Sequence, residues 1–323
     1  MLFMISGVTS FLGRNAAKLL LERKHKVVGL VRPGSKNREK LKTPALSGLL
    51  VQELDFDSIP EAESCRRIFG FSLRGEGKEG LCLPGELVFL HFSWDGVGSA
   101  GRSDPELQER NIRNAKKAFR IAEGLHASRF LFAGSQAEYG GGGHERPEPR
   151  SEYGKAKLAF GRWGMEQSSE TAFYHLRIHS VYGSGDHEGS LVNALIHAHL
   201  RREAIRLSPC TQDWNYLEVR DLSSALLLLS ESERAEAGIY DIASRDTRPL
   251  RSYVEEIWRI LNEGSGGERL PERDYLLFGA RGNNAEGDIG MAPDTAALRA
   301  LGFSERISLR QGIEELLSEE ERK

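Results

Sequence analysis

Tyr153 and Lys157 stand four residues apart in the stretch Tyr153-Gly154-Lys155-Ala156-Lys157, and on a helix that spacing puts both side chains on one face. A phenol with a pKa of about 10 is a poor proton shuttle at neutral pH. A neighbouring ammonium favours the phenolate and brings that proton within reach of catalysis. Somewhat earlier, the apolar run Phe130-Leu131-Phe132-Ala133 ends in Gly134-Ser135. A hydroxyl at the C-terminal end of a buried strand could hold the oxygen that Tyr153 protonates or deprotonates. Taken singly, each signal also has a plainer reading, as a surface Tyr/Lys pair and a turn serine. Their order along the chain, after a glycine turn, favours the acid–base reading.

That turn is Gly7-Val8-Thr9-Ser10-Phe11-Leu12-Gly13, between the first apolar run and a helical pattern. A helix beginning there aims free N–H groups and its positive dipole end into the turn, which suits a pyrophosphate. The outer glycines of a dinucleotide fingerprint are present, and Ser10 takes the middle place. Gly7, Thr9, Ser10, Phe11, Leu12 and Gly13 are therefore candidate cofactor contacts, with a merely structural βα turn as the other reading. The second apolar run ends Val31-Arg32-Pro33-Gly34-Ser35-Lys36. It offers no carboxylate for a ribose hydroxyl, whereas Arg32, Ser35 and Lys36 could cradle a 2′-phosphate. NADP is thus favoured over NAD, the alternative being a solvated basic loop.

The elements that must position these residues are legible as periodicity. Leu2–Ile5, Lys26–Val31, Gly48–Leu54 and Leu87–Phe92 read as strands buried on both faces. Arg14–Arg23 and Pro105–Gly124 read as helices, followed by a strand at Arg129–Ala133. This alternation predicts βαβ units and a parallel sheet covered on both sides. Residues 70–86, rich in Gly and charge, read as a surface insertion. Beyond the glycine cluster Gly140–Gly143, a helix starts near Glu152 and a strand runs from Ala172 to Ile178. Helices then follow at Ser190–Arg202, Asp221–Ser230, Leu250–Asn262 and Leu309–Leu317. The expected fold is α/β, a Rossmann-type doubly wound parallel sheet with a smaller interleaved C-terminal substrate lobe. Residues 1–170 form the dinucleotide-binding domain, the sheet is completed by parts of 171–245, and 171–323 are mainly the lobe.

Composition narrows the class. A net charge of −3 from 44 basic and 47 acidic residues supplies no strong pull toward nucleic acid or an anionic membrane. No apolar run approaches the roughly 18 residues of a membrane span. Met1–Ser6 lacks the basic start and long apolar core of a signal peptide. Cys65, Cys82 and Cys210 are odd in number and widely spaced, which suggests a reducing compartment and a cytoplasmic location. His91, His175, His179, His187, His197 and His199 show no convincing ligand spacing, so no metal is expected.

With these motifs in order, nearly the whole chain resembles the extended short-chain dehydrogenase/reductases, specifically the NAD-dependent epimerase/dehydratase branch acting on sugar nucleotides. Ser6–Gly13 matches the family's glycine motif. Ser135, Tyr153 and Lys157 fall on its catalytic triad, and Asn111 matches its helix asparagine. The resemblance implies that Asp55 and Phe56 contact adenine, and that Phe92, Ser93 and Trp94 line the nicotinamide side. It also implies that Ile178 and Ser180, in Arg177–Gly183, contact nicotinamide and substrate. Trp94, Gln136, Ser180 and Arg281 become candidate substrate contacts. Trp214–Asp221 resembles a later lobe strand, and Leu301-Gly302-Phe303 the family's usual ending.

Departures shape the expectation. Ser10 adds a side chain at the phosphate turn, Ser180 replaces a common Asn, and Trp214 replaces an Arg that grips the substrate diphosphate. Gln136-Ala137 stands where dehydratases carry Asp-Glu, so dehydration is not expected. The activity implied is hydride transfer between nicotinamide C4 and a sugar carbon, with Tyr153 as acid or base, Lys157 lowering its pKa and Ser135 orienting the sugar oxygen. An NADPH-dependent reductase of a nucleotide-linked keto sugar is the first reading and a sugar-nucleotide epimerase the second. A non-catalytic dinucleotide sensor is the third; such proteins tend to lose the Tyr or Lys that this chain keeps. A homodimer through the helices of Asn111 and Tyr153 is expected.

Overall fold

The computed structural model describes residues 1–59, 86–98, 100–264, 269–282 and 292–323. The segment 70–85, read above as an insertion, lies outside these residues, as do Cys65 and Cys82.

Strands β1 (Leu2–Ser6), β2 (Lys26–Val31), β3 (Leu50–Glu53), β4 (Leu87–His91), β5 (Arg129–Ala133), β6 (Ala172–Ile178) and β10 (Gly238–Ile242) form one sheet. Its order is β3-β2-β1-β4-β5-β6-β10, and every pairing is parallel. The period of two along each strand sends alternate residues to opposite faces. Phe3 and Ile5 join one core with Ala16, Ala17 and Leu20 of helix α1 (Phe11–Glu22). Leu2 and Met4 join the other, with Phe89, Phe130 and Phe119 of α2 (Pro105–Gly124) and Phe160 of α3 (Glu152–Met165). Continuous apolar runs are thus what a sheet sandwiched between helices requires.

The third strand departs from the sequence reading. It is shorter than 48–54 and is not buried on both faces: Leu50 is 59% exposed. Its position at the sheet edge explains this, since an edge strand has a neighbour on one side only.

Strand order reverses beside β1, where the chain leaves β1 for α1 on one face and β4 for α2 on the other. In such sheets a crevice opens at the carboxyl ends of the strands at that point. The lobe closes over it. Directly after β6 comes β7 (Ser180–Tyr182), which with β9 (Asp213–Glu218) and β11 (Thr247–Pro249) forms a three-stranded sheet. β8 (Ile205–Arg206) pairs with β12 (Leu276–Leu277). Helices α4 (Leu191–Arg201) and α6 (Leu250–Gly264), with the C-terminal helix Leu309–Glu321, enclose a third core of Leu195, Tyr253, Ile257, Trp258 and Leu316. Helix α5 (Val219–Glu231) returns to the sheet and packs against α1. No helix of the described residues is long and apolar enough to cross a membrane.

Candidate active site

A cavity of about 790 Å3 lies between the carboxyl edge of the sheet and the lobe. Its sheet-side wall includes Ser10, Phe11, Leu12, Phe92, Trp94, Ser135, Tyr153, Lys157, Ile178 and Ser180. The lobe side adds Asp186, Arg206, Gln212, Trp214 and Arg281.

The glycine turn is built by close approach. Gly7 has φ +71, and a Cβ there would meet the Ser93 amide nitrogen at 2.7 Å. At Gly13 a Cβ would sit 2.3 Å from the Gly7 carbonyl oxygen, so glycine is required where α1 leaves the strand. Ser10 has an ordinary φ of −73 and serves as N-cap, its Oγ accepting from the Gly13 amide at 3.1 Å. The middle position therefore needs no glycine, and the hydroxyl satisfies one helix donor. Among the described residues the amides of Phe11 and Leu12 have no hydrogen-bond partner in the chain, and no acidic residue lies in the first turn. This donor set fits a dinucleotide's phosphates.

Sequence reasoning missed what ties this turn to the lobe. Arg14 donates to Thr9 O at 2.6 Å and Gly185 O at 2.8 Å, and Asn15 Nδ2 donates to Ser184 O at 3.1 Å. No local pattern signals contacts some 170 residues away in the chain.

Tyr153 and Lys157 share a buried face of α3. Ser151 caps that helix, its Oγ accepting from Gly154 N at 3.0 Å. A Cβ on Gly154 would lie 2.4 Å from Ala137 O, so glycine lets the helix close on the Ser135 turn. Lys157 Nζ donates to Ala133 O at 2.5 Å and lies 3.9 Å from the Trp94 ring centre. Burial pulls its pKa from 10.5 down to about 7, with Glu138 opposing and Arg102 adding to the shift. At the end of β4, burial and then the Lys157 charge pull His91 down to about 3; the neutral ring meets Ser6 Oγ at 2.7 Å.

The Lys157 shift has a measurable consequence. Its folded-state value lies below its value in the unfolded chain, so the cost of burying the charge is complete below about pH 7 and fades as pH rises toward 10.5. Lys157→Met should raise Tm relative to the wild type at about pH 6 and lose that advantage by about pH 10. A Tm difference that does not change with pH would refute a buried charge at this position.

Ser135 sits on a rigid turn. Its Oγ accepts from Ala137 N at 3.2 Å, and its own amide donates to Glu138 Oε1 at 2.8 Å, which completes a capping box. Glu138 is fully buried, with His175 Nε2 at 2.9 Å and Arg177 Nε at 3.2 Å. Burial alone would raise the Glu138 carboxyl, but His175 and Arg177 hold it below the ordinary range. The Ser-x-x-Glu spacing was a readable signal for this role, and the sequence reading passed over it.

Other candidate residues lie elsewhere. Phe56 is buried in the core against His91, and Asp55 caps a short turn by accepting from Asp57 N at 3.1 Å. Neither lines the cavity. Gln136 also lies off its lining and donates to Ser180 Oγ at 3.2 Å. Arg32 is engaged by Asp95, with both guanidinium contacts at 3.0 Å, and Arg110 reaches the same carboxylate at 3.5 Å. Asn111 holds the Asp95 backbone from both sides, its Oδ1 3.1 Å from the amide nitrogen and its Nδ2 2.8 Å from the carbonyl oxygen. No group of three or more metal-ligating side chains occurs among the described residues.

A doubly wound parallel sheet, a glycine turn at its switch point, and Ser135, Tyr153 and Lys157 on the wall of one cavity form the arrangement expected of an extended short-chain dehydrogenase/reductase. Comparison with known proteins agrees. Residues 87–243 match the model of the NAD dependent epimerase/dehydratase family. CDP-abequose synthase from Salmonella muenchen is 20% identical over 323 residues, covering 98% of this chain and 97% of that protein. CDP-abequose synthase from Yersinia pseudotuberculosis is 30% identical over 199 residues, covering 60% and 65%. Among solved structures, the UDP-glucose 4-epimerase of Thermus thermophilus in complex with NAD superimposes with a TM-score of 0.75 at 19% identity, over 98% of each chain. At that identity the likeness is one of fold. Over residues 87–243 the chain thus resembles the NAD dependent epimerase/dehydratase family.

Proposed function

We propose that the protein is an NADPH-dependent reductase of a keto group on a nucleotide-linked sugar, working in the cytoplasm as a homodimer. The observation that carries this reading is the gathering of Ser135, Tyr153 and Lys157 on the wall of one cavity that runs from the glycine turn to the lobe. The name of the two bacterial relatives, CDP-abequose synthase, supports a sugar nucleotide as the substrate class.

A nicotinamide dinucleotide held at the amides of Phe11 and Leu12 would supply the hydride for the carbonyl carbon. Tyr153 gives its hydroxyl proton to the carbonyl oxygen and is left as phenolate; hydride and proton together turn C=O into H–C–O–H, and the negative charge on Tyr153 is matched by the positive charge that an oxidised nicotinamide would carry. Lys157 stabilises the phenolate, and Ser135 orients the substrate oxygen. Phe92, Ser93, Trp94 and Ile178 shape the nicotinamide side. Ser180 and Trp94 position the sugar, Gln136 acting through its hydrogen bond to Ser180 Oγ. Arg206 and Arg281, on the lobe wall, supply positive charge for the diphosphate where Trp214 stands in place of an arginine. Asp55 and Phe56 set the adenine end, the core position of Phe56 making its contribution one of backbone placement.

NADP preference rests on Arg32. For a 2′-phosphate to be read, Arg32 must leave Asp95 or share itself between the two. The same ion pair favours the second reading, an epimerase that keeps NAD and returns the hydride to the opposite face, because a carboxylate already engages Arg32.

The test is fluorescence titration with NADPH and NADH, then absorbance assays of net NADPH consumption with a panel of keto sugar nucleotides. Substrate-dependent consumption is the expected result, and Arg32→Ala should weaken NADPH about tenfold with little change for NADH. Binding with conversion but no net consumption would establish the epimerase. Binding without any conversion would leave a sensor, and failure to bind either cofactor would overturn the reading. The homodimer, through the outer faces of α2 and α3, is refuted by a sedimentation mass of 36.0 kDa at micromolar concentration.

A further inference from the structure

Tyr153 carries a cation on its ring as well as one on its own helix. Arg102, in the short turn Gly101–Ser103 between β4 and α2, places its guanidinium carbon 4.3 Å from the centre of the Tyr153 ring. Lys157 Nζ lies 5.6 Å from the same ring. Arg102 also lines the cavity. Its turn is anchored: Gln108 Nε2 donates to Gly101 O at 2.8 Å, Arg102 Nη1 donates to Val97 O at 3.2 Å, and Asp104 Oδ1 accepts from Leu107 N at 3.1 Å to start α2. The family motifs read from the sequence give Arg102 no role.

A guanidinium over an aromatic face is attracted by the ring quadrupole. When the hydroxyl ionises, negative charge spreads into that ring and the attraction grows. The difference between the two attractions lowers the proton affinity of the oxygen. Tyr153 is buried, so solvent screens this interaction less than it would on an open surface. We propose that Arg102 is a positioning residue for the reaction, a second cation that acts through the face of the Tyr153 ring to ease release of its proton. The role rests on Tyr153 being the proton donor of the proposed function.

The surrounding charges leave the sign clear. Besides Arg102 and Lys157, the charged and titratable groups nearby are Glu138, matched by His175 and Arg177 behind Ser135, and Asp186, His187, His179 and Arg281 on the lining of the same cavity. Arg102 repels the Lys157 ammonium and adds to the lowering of its pKa. Loss of Arg102 therefore raises the proton affinity of both members of the pair, and the direction holds however the two titrations are divided.

The experiment is ultraviolet titration of tyrosinate in the apoprotein, with the Tyr153→Phe protein subtracted to isolate this one residue. In Arg102→Gln the Tyr153 transition should move up by about one pH unit, and Arg102→Lys should restore most of the shift. The high-pH limb of kcat/KM for the reduction should move in the same direction. Arg102→Met, which keeps the apolar stem, carries the same expectation should the Gln variant fail to fold. An unmoved Tyr153 transition in a folded variant, or a Lys variant indistinguishable from Gln, would overturn the proposal. A shifted titration in a protein that turns over no keto sugar nucleotide would uphold the electrostatic role of Arg102 and refute the proposed function instead.

Discussion

Tyr153→Phe should lower turnover by roughly 10²- to 10⁴-fold, the span expected when a positioned general acid is removed, while NADPH affinity and Tm stay close to those of the wild type. The reason is geometric. The ring is buried and sits against Arg102 at 4.3 Å, and phenylalanine keeps that ring and its packing. Only the O–H is deleted, and in the proposed mechanism it is the group that passes a proton to the substrate oxygen. Ser135 has a hydroxyl on the same wall, but its Oγ is held by the Ala137 amide at 3.2 Å, whereas the Tyr153 ring has Arg102 at 4.3 Å and Lys157 at 5.6 Å. The measurement is single-turnover NADPH oxidation beside a cofactor titration. A variant within about tenfold of wild type would move the acid to another residue, and a parallel collapse of cofactor binding would make Tyr153 structural.

The second large effect is on stability. Glu138→Ala should cost about 3–5 kcal/mol, because it removes one partner of a buried ion cluster and leaves the others uncompensated. Arg177 is left buried without the carboxylate at 3.2 Å, His175 without the one at 2.9 Å, and the Ser135 amide without its acceptor. Water cannot replace these partners readily, since Glu138 has no exposed surface and His175 and Arg177 very little. Glu138→Gln keeps an acceptor for Ser135 N but presents an uncharged group to Arg177, and should fall between. Equilibrium unfolding in urea reads both variants; a loss below about 1 kcal/mol for the alanine would show that the cluster is not a stabilising one. Turnover should drop as well, because the turn that aims Ser135 is held by the same carboxylate.

Much of the molecule was legible from local pattern. The runs Leu2–Ile5, Lys26–Val31 and Arg129–Ala133 could be read as strands, and Pro105–Gly124 as a helix, because side-chain periodicity is set by backbone geometry alone. The Tyr153–Lys157 face and the glycine turn were legible for the same reason, since each involves residues within one turn of chain. Ser10 shows the limit of motif reading. It breaks the fingerprint by letter, yet as an N-cap with ordinary φ it satisfies the local geometry that the turn needs.

What the sequence determined by itself was therefore the type and order of the elements and the helix face shared by Tyr153 and Lys157. Tertiary structure alone decided the surroundings of those residues. It exposed β3 at the sheet edge, set Asp95 against Arg32 across 63 residues of chain, and brought His175 and Arg177 behind Ser135 from a strand about forty residues on. It also laid Arg102 on the Tyr153 ring and tied Arg14 to Gly185. Each of these is a contact between distant segments, and single-chain periodicity carries no record of distance in space. The charge state of Tyr153 and Lys157 depends on such contacts, because burial and neighbouring charge, rather than residue type, set the energy of a buried ion.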